Sequence, residues 1–452
     1  MQKAATDTRF QLKITNRQIL LVAMPIAVSI LVPQVNFITN NIFLSSLGEE
    51  PLAVAGITGV FYLIFAVIGF GLNNGMQSLI ARRAGEGRLH EISGLFNQGI
   101  RVALLFSVLA IALTYFIAPI IFSHALHTHQ HIALAINFLY IRIWGLPLLY
   151  MYQLRNALLV GTNNSRYLVI GTIVETVTNI VLDYALIKGR LGFTQMGFNG
   201  AAVASIVAEG AGFLTVFAVM RINGISKSLE LTSNFKYHAA NTKLILKQSA
   251  PLILQFMMSV TSWEYFYILV EHHGQRDLAI SNIMRNIFGL FGCVSWAFAA
   301  ASNTMVSNII GQGLQNRVKD LIIKIMKLSV SFAVVIFIAL NLTVPVVMKI
   351  YGQGSDFIAA AIPVVRVVSA ALVLMSVSTI WLNAVTGTGN TRINLAIEVA
   401  AISLYCLYAY LVLEKFNLPI TYGWAAEWVY WTSLFLPSFL YIQSGKWKGK
   451  VI

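Results

Sequence analysis

Long apolar segments, repeated along the whole chain, are the strongest constraint on its fold. We predict about twelve of them, each of ~20 or more residues, enough to cross a hydrocarbon core about 30 Å thick as helices. They lie near 17–45, 52–82, 93–123, 132–160, 167–187, 199–221, 243–270, 278–310, 321–350, 358–386, 393–413 and 421–442. Of the 452 residues, 57% are hydrophobic and 11% are charged, which leaves too little polar surface for a soluble protein of this length. The sequence therefore predicts an all-α, multi-pass membrane protein.

The net charge of +14 is explained by the positions of the basic residues. With both termini in the cytoplasm, most Lys and Arg residues fall on the cytoplasmic side, which is the positive-inside pattern of membrane proteins. They form no single patch, so nucleic acid is not an expected partner. We expect a monomer in the plasma membrane, specifically the bacterial inner membrane. The two cysteines, Cys293 and Cys406, both lie in apolar segments, so neither a disulfide framework nor a cysteine metal site is expected.

The chain contains an internal repeat. A shift by half the length of the chain, which we call the half-chain interval, superimposes Pro25 on Pro251. The same shift places "GEG" at 85–87 on "GQG" at 311–313, and "GTNNSR" at 161–166 on "GTGNTR" at 387–392. Six spans per copy is an even number, so both copies enter the membrane from the same side. This predicts two six-helix lobes related by a pseudo-two-fold axis along the membrane normal, with substrate handled between them.

The lobes are assigned from the positions of the spans. We predict an N-terminal lobe at 1–221, a polar cytoplasmic linker at 222–242 and a C-terminal lobe at 243–452.

Several stretches resemble a known family. They are "NNIFLSSLGEEPLAVAG" from Asn40, "NALLVGTNNSR" from Asn156, "NIVLDYALI" from Asn179 and "GFNGAAVAS" from Gly197. In order and spacing they are similar to the multidrug and toxic compound extrusion (MATE) transporters of the multidrug/oligosaccharidyl-lipid/polysaccharide exporter superfamily. The resemblance implies ion-driven multidrug efflux, in which two six-helix lobes alternate between inward-open and outward-open states.

Asp183 is an acid in the middle of an apolar span. An ionised carboxylate at mid-bilayer costs roughly 3 kcal/mol or more, so a bound cation is a reasonable explanation for it. Asn179 lies four residues earlier and shares its helix face. Carboxylate and amide oxygens suit a hard cation such as Na⁺, whereas softer metals favour His or Cys.

The resemblance extends this site to other spans. It implies an ion site formed by Asn40, Asn156, Asn179 and Asp183, with Ser205 as a hydroxyl on span six. The family has an acid where this chain has Asn40 in "NNIF". A single carboxylate fits one monovalent cation, either Na⁺ or H⁺, and no other cofactor is expected.

Two further hypotheses concern the charges near this site. Glu175 lies one more helical step from Asn179 and is a candidate for a second negative charge on the same face. The alternative for Asp183 is a structural ion pair with Arg142 or Arg155.

The resemblance implies a substrate cleft among spans one, two, seven and eight, and spans seven and eight supply charged and aromatic candidates for it. Either Glu264 and Arg285 pair with each other, or Arg285 attracts an anionic or zwitterionic substrate. The other members are Asn282, Trp263, Tyr265 and Tyr267. Five arginines lie within spans and weaken the expectation of a cationic cargo; they are Arg101, Arg142, Arg155, Arg285 and Arg366.

The run "HALHTHQH" after span three is a weak candidate metal site. It contains His124, His127, His129 and His131, without an accompanying carboxylate or cysteine. A solvated loop is the alternative, and no metal is assigned to it.

Three classes of function follow. An ion-coupled exporter of small amphipathic compounds is the first. A flippase for a lipid-linked oligosaccharide is the second, and an arginine-lined cleft would favour it. A membrane-embedded enzyme is the third; the sequence has no G-x-x-x-x-G-K-[ST], H-E-x-x-H or G-x-S-x-G motif, so we do not expect one.

Overall fold

Helices make up the regular structure of the part of the chain that can be described. The computed structural model describes residues 9–125, 128–231, 236–350 and 354–450. The first half contains α1 (Asn16–Ser45), α2 (Glu49–Glu86), α3 (Leu89–Ala125), α4 (His129–Arg142), α5 (Leu146–Gly161), α6 (Leu168–Lys188), α7 (Phe198–Ile222) and the short α8 (Ile225–Ser228). The second half contains α9 (Ala239–His272), α10 (Gln275–Gly311), α11 (Val318–Ile350), α12 (Ser355–Gly387), α13 (Thr391–Ala409), α14 (Ile420–Trp424) and α15 (Ala426–Ser444).

The predicted all-α membrane fold is confirmed. Within the described ranges, 11 helical segments are long and apolar enough to cross a membrane. The twelfth predicted span, 421–442, forms α14 and α15, which are separated at Ala425 and do not meet the same hydropathy criterion. The 19 residues of α15 extend about 28 Å at 1.5 Å per residue, close to the thickness of a hydrocarbon core.

The internal repeat is visible in the helix boundaries. Helix α2 begins at Glu49 and α10 begins at Gln275, and these two starts are separated by the half-chain interval. Helices α4 and α5 together cover 129–161, and α12 covers 355–387 at the same interval. The two halves therefore use one helical plan.

The fourth span differs in backbone between the two halves. In the first half, a 3₁₀ turn at Ile143–Gly145 separates α4 from α5, whereas α12 is continuous. Pro147 follows this turn and has no N–H to donate to the carbonyl of Ile143, so the α-helical bonding pattern is interrupted there. The bend gives the first half a local geometry that the second half lacks.

The contacts of the chain divide it into two compact units that do not follow chain order. Unit 1 comprises 28–84 and 88–253, and unit 2 comprises 9–27, 85–87 and 254–450, within the described residues. Helices α1 and α9 each pass from one unit to the other, after Ala27 and after Ile253. These two points are again separated by the half-chain interval. Each repeat thus contributes the start of its first helix to the unit formed mainly by the other repeat.

The boundaries of the predicted lobes and linker differ in part from the boundaries of these compact units. The described residues of the predicted linker 222–242 belong to unit 1, where they contact α3. The Ser93 hydroxyl donates to the Glu230 carbonyl at 2.8 Å, and the Gln98 amide donates to the Lys236 carbonyl at 2.8 Å. The lobes 1–221 and 243–452 stay a prediction from chain order. The compact units differ from them at the starts of α1 and α9, at 85–87 and in the described part of the linker.

Each unit has its own apolar core. In unit 1, Phe61 packs against Phe122 with ring centroids 5.7 Å apart. In unit 2, Phe266 packs against Trp424 at 5.2 Å. Large apolar side chains are also strongly exposed on the outer helices, such as Phe116 on α3, at 75%. Such exposure suits contact with lipid tails.

Candidate functional site

Helix α6 carries Asp183 and Asn179 at the centre of unit 1. The helix ends at Lys188, where Gly189 takes a left-handed conformation (φ 64°) that a side chain would disfavour. Asp183 is 0% exposed and Asn179 is 1% exposed, so both are shielded from the outer surface of the molecule. The spacing of four residues keeps them one turn apart, as predicted.

The Asn179 amide links three elements. Its hydrogen-bond network assigns the nitrogen to face Asn36 Oδ1 at 2.9 Å and Asp183 Oδ2 at 3.2 Å. The amide oxygen then accepts from the backbone N–H of Ser205 at 3.1 Å. We call the four residues that these contacts join, from α1, α6 and α7, the polar centre: Asn36, Asn179, Asp183 and Ser205. Asn179 thus orients one carboxylate oxygen of Asp183 and leaves the other available.

Several buried oxygens in unit 1 have no hydrogen-bond partner among the described residues, and three of these oxygens concern the predicted ion site. They are Asp183 Oδ1, Asn40 Oδ1 on α1 and Asn156 Oδ1 on α5. Buried polar atoms are normally bonded, so each such atom needs an explanation. All three belong to side chains predicted to hold an ion, and carboxylate and amide oxygens are the donors that a hard monovalent cation accepts. The chemistry of these residues fits such an ion.

Asp183 is not neutralised by either of the predicted arginines. Arg142 pairs with Glu209 instead, with nitrogen–oxygen distances of 2.5 and 3.1 Å, and lies 4.0 Å from the centroid of the Tyr62 ring. Arg155 donates to the Phe213 carbonyl at 3.0 Å and lies 3.9 Å from the centroid of the ring of the same residue. The structural ion-pair explanation for Asp183 therefore has no support in the described contacts.

Glu175 lies within a second polar group of unit 1. Its surroundings include Arg142, Glu209 and the Tyr152 hydroxyl, and its side chain packs closely against Gly212. The Tyr152 hydroxyl is also 3.0 Å from the Thr172 hydroxyl. No described contact joins Glu175 to Asp183, so its proposed contribution to the ion site stays a prediction.

The candidate substrate cleft of unit 2 contains a formed ion pair. Arg285 lies 3.3 Å from Glu264, and its guanidinium is 5.3 Å from the Trp263 ring centroid and 5.0 Å from that of Tyr267. The side chains of Arg285 and Glu264 are 41% and 32% exposed. Asn282 is exposed. The pairing alternative for Arg285 thus matches the geometry, and a role in binding substrate stays a prediction.

The histidine run does not form a cluster in the part of the chain that is described. His124 bonds with its own helix, 2.8 Å from the Ile120 carbonyl, and His129 begins α4. His131 is half-buried, and His127 lies outside the described residues. Nowhere in those residues do three His, Cys, Asp or Glu side chains come together in a way that could hold a metal.

The sequence reasoning missed several polar residues. Asn36 is one helical turn before Asn40, so the helical period could have found it. Glu209, Glu398 and Glu427 are acids within apolar segments, and the rule that marked Asp183 applies equally to them. The hydrogen-bond and ion-pair partners of these acids, in contrast, could be identified only from the three-dimensional structure.

Comparisons with known proteins agree with the repeat and the fold. The MatE family model matches twice, at 25–185 and 251–411, and the two matches are separated by the half-chain interval found in the sequence. The probable multidrug resistance protein NorM of Thermotoga maritima is 24% identical over 422 residues, which cover 91% of this chain and 89% of that protein. The NorM of Agrobacterium fabrum is 25% identical, and the match spans 61% of this chain and 59% of that relative.

A solved structure supports the fold directly. A multidrug resistance MATE family transporter of the MOP superfamily, in an outward-facing conformation, superimposes with a TM-score of 0.86. The match covers 98% of both chains at 17% sequence identity.

Proposed function

Because the chain belongs to the MatE family, we propose that it is a cation-coupled antiporter that exports small amphipathic organic compounds by alternating access. Relatives that carry the name multidrug resistance protein support export as the direction of transport. The proposed location is the bacterial inner membrane, with both termini cytoplasmic and the protein acting as a monomer. The basic residues on the predicted cytoplasmic side support that orientation.

One observation carries the coupling proposal. Asp183 is fully buried, has no described arginine or lysine partner, and keeps an oxygen without a hydrogen bond. A lone carboxylate in a membrane-spanning unit is costly unless it takes up a positive ion. Na⁺ or H⁺ would supply that charge, and the unpartnered oxygens of Asn40 and Asn156 are available as further ligands.

The membrane potential is sufficient to drive such an exporter. One positive charge that crosses 100 mV releases about 2.3 kcal/mol. This free energy supports a concentration ratio of about 40-fold, before any chemical gradient of the ion is added. A nucleotide is therefore not required as the energy source.

The flippase alternative receives less support. It depended on arginines lining a cleft, available to bind a pyrophosphate. Arg142 and Arg285 are paired with acids, and Arg155 lies against aromatic rings. In the described contacts, these three guanidinium groups do not come together to form a binding site for an anionic lipid.

The test is transport by the full-length protein in proteoliposomes, with sodium and proton gradients imposed separately. A cationic, an anionic and a lipid-linked cargo are compared. We expect one gradient to drive export of a small organic cargo, and Asp183→Asn to reduce it to the level of protein-free liposomes. Glu414→Gln, which changes a 41%-exposed acid of unit 2, is the matched control and should transport normally. Gradient-driven export that persists in Asp183→Asn would refute the coupling role.

A further inference from the structure

Arg155 is a buried arginine of unit 1 whose described contacts include no acid. It lies on α5, and its side chain enters the seam between α5 and α7. Its guanidinium is 3.9 Å from the centroid of the Phe213 ring and 4.8 Å from that of the Phe217 ring, and it donates to the Phe213 carbonyl at 3.0 Å. The residue is 7% exposed. A guanidinium within a membrane-spanning helix is costly unless a negative charge compensates for it.

Packing alone does not require this charge. The half-chain shift places Arg155 on Trp381, and it places Phe213 on Phe439. In unit 2 the rings of Trp381 and Phe439 pack edge to face, with their centroids 5.0 Å apart. The second repeat thus fills the equivalent position with an apolar ring. The guanidinium of the first repeat therefore needs an explanation other than packing.

The position of Arg155 along its helix sets its depth in the membrane. The segment His129–Gly161 has 33 residues and extends about 50 Å, which exceeds the thickness of a hydrocarbon core by about 20 Å. A centred segment therefore extends about 10 Å beyond the core at each end. Arg155 lies six residues before Gly161, the predicted cytoplasmic end, which is a distance of about 9 Å. The guanidinium thus lies at the boundary between the core and the lipid headgroups.

The side of α7 next to this seam is partly exposed. Phe217 is 41% exposed, and Leu214, one turn before it, is 61% exposed. Large apolar side chains that are exposed on a membrane-spanning helix suit contact with acyl chains. A lipid whose acyl chains contact these side chains would bring its headgroup beside Arg155.

Two further arginines lie near the predicted cytoplasmic end of α7. Arg221 is exposed, belongs to the last turn of α7 and follows Phe217 by one turn on the same face. Arg166 donates to the Tyr167 hydroxyl at 2.8 Å, and that hydroxyl donates to the amide oxygen of Asn223, just beyond α7, at 2.9 Å. The described contacts join neither Arg166 nor Arg221 to an acid. Positive charge at this end of the helices is therefore not neutralised by the described part of the protein.

We propose that these three arginines bind the phosphate of an anionic phospholipid in the cytoplasmic leaflet. We call them the arginine group: Arg155, Arg166 and Arg221. Guanidinium groups bind phosphate through charge-assisted hydrogen bonds, and basic pockets between membrane helices on the cytoplasmic side suit anionic headgroups. A zwitterionic lipid carries its own ammonium group, which offsets this attraction.

The bound lipid is a resident of the leaflet and not a cargo. Arg155 acts here with Arg166 and Arg221 at one end of unit 1, and not with Arg142 or Arg285, which are paired with acids. The proposal does not depend on the coupling ion or on the direction of transport.

The test is lipid binding to the purified, delipidated full-length protein, measured by native mass spectrometry. Dioleoyl phosphatidylglycerol and dioleoyl phosphatidylcholine are offered together at equal concentrations, and the first bound lipid is identified. Each arginine near an anionic headgroup contributes about fivefold, so we expect the wild type to prefer phosphatidylglycerol by at least about tenfold.

Three variants test the role of Arg155. Arg155→Gln should lower the preference by about fivefold. Arg155→Trp, which introduces the residue of the second repeat and keeps the seam filled, should lower it by a similar factor. Arg366→Gln is the matched control, because it removes an exposed arginine from within α12, and it should keep the full preference.

A soluble competitor distinguishes a lipid from free phosphate. Glycerol 3-phosphate carries the phosphate without acyl chains, so at millimolar concentration it should not displace phosphatidylglycerol. Displacement by this compound would indicate a site for free phosphate and would overturn the proposal.

The remaining outcomes separate this proposal from the coupling proposal. Asp183→Asn should bind phosphatidylglycerol as the wild type does while it fails to transport. Equal binding of the two lipids by the wild type would overturn the proposal, and this comparison needs no variant to fold. The full preference retained in both Arg155→Gln and Arg155→Trp would also overturn it.

Discussion

The two repeats carry different chemistry at equivalent positions of one helical plan. At the half-chain interval, Asn179 corresponds to Tyr405. The same shift places Ser205 on Trp431. The first residue of each pair belongs to the polar centre of unit 1, and the second lines a cavity of unit 2 with a mostly aromatic wall, the aromatic cavity. The same backbone positions thus present amide and hydroxyl groups in one half and large rings in the other.

The acids also differ between the repeats. Asp183 corresponds to Ala409, and the half-chain shift places Ala201 on Glu427. Each half therefore has a buried acid where the other half has a small apolar residue. The difference indicates that the two repeats share the helical frame and that the chemistry of each half is decided by a few side chains placed within it.

The largest effect on stability is expected from a substitution that breaks the buried Arg142–Glu209 ion pair of the first repeat. Glu209→Gln removes the carboxylate that is bonded to the buried Arg142 guanidinium, so we expect it to lower the free energy of unfolding by about 3–5 kcal/mol. The measurement is thermal unfolding of the purified protein. The half-chain shift places Arg142 on Val368 and Glu209 on Phe435, which are both apolar.

That correspondence supplies a control. The double variant Arg142→Met with Glu209→Met should recover more than half of the lost stability, since the other repeat uses apolar residues at these positions. A double variant as unstable as Glu209→Gln would show that the repeats are not interchangeable here.

The second prediction concerns the ion. If sodium is the coupling ion, a sodium concentration about 100-fold above its dissociation constant should stabilise the wild type by about 2.7 kcal/mol. Asp183→Asn should lose this stabilisation, and Glu427→Gln should keep it. Thermal unfolding in sodium and in potassium buffers measures the effect. Equal stabilisation of Asp183→Asn would place the sodium site away from the polar centre.

A smaller effect is expected at Tyr152. Tyr152→Phe removes the hydroxyl that lies 3.0 Å from the Thr172 hydroxyl. The change should cost about 1 kcal/mol, because a neutral hydrogen bond is lost without a change in shape. Residue 378, the counterpart of Tyr152, is a serine, so Ser378→Ala is the comparison variant in the second repeat. A loss of more than twice that size for Tyr152→Phe would mean that the hydroxyl also supports Glu175.

The smallest effect is expected at the ion pair between Arg285 and Glu264 in the second repeat. Arg285 and Glu264 are partly exposed, so Glu264→Gln should change the free energy of unfolding by less than about 1 kcal/mol. The contrast with Glu209→Gln tests whether burial distinguishes the two pairs. A loss as large as that of Glu209→Gln would contradict this reading of Glu264.

Much of the fold was accessible from the sequence because it depends on local patterns. Apolar length predicts the spans, and Asn179 and Asp183 share a helix face through their spacing alone. The glycines at helix ends and the prolines within α1 and α9 revealed the repeat, since they recur at the half-chain interval.

The remaining features depend on packing between distant segments. The partner of Arg142 could not be read from sequence, because Glu209 is 67 residues away and several other acids were available. The aromatic cavity was equally hidden, since Trp and Tyr in apolar helices look the same whether they fill a core or surround a space. The passage of α1 and α9 between the units has no local signature beyond Pro25 and Pro251.

The passage of α1 and α9 between the units has a consequence for expressing the two repeats as separate fragments. A gene fragment that encodes only one repeat would produce a unit without the opening helical segment that the other repeat provides, and with a segment of its own left unpacked. Each fragment should therefore fold poorly when it is expressed alone. Co-expression of the two fragments in one cell should restore folding. The two halves therefore share one helical plan, and yet each unit includes the opening helical segment of the other half.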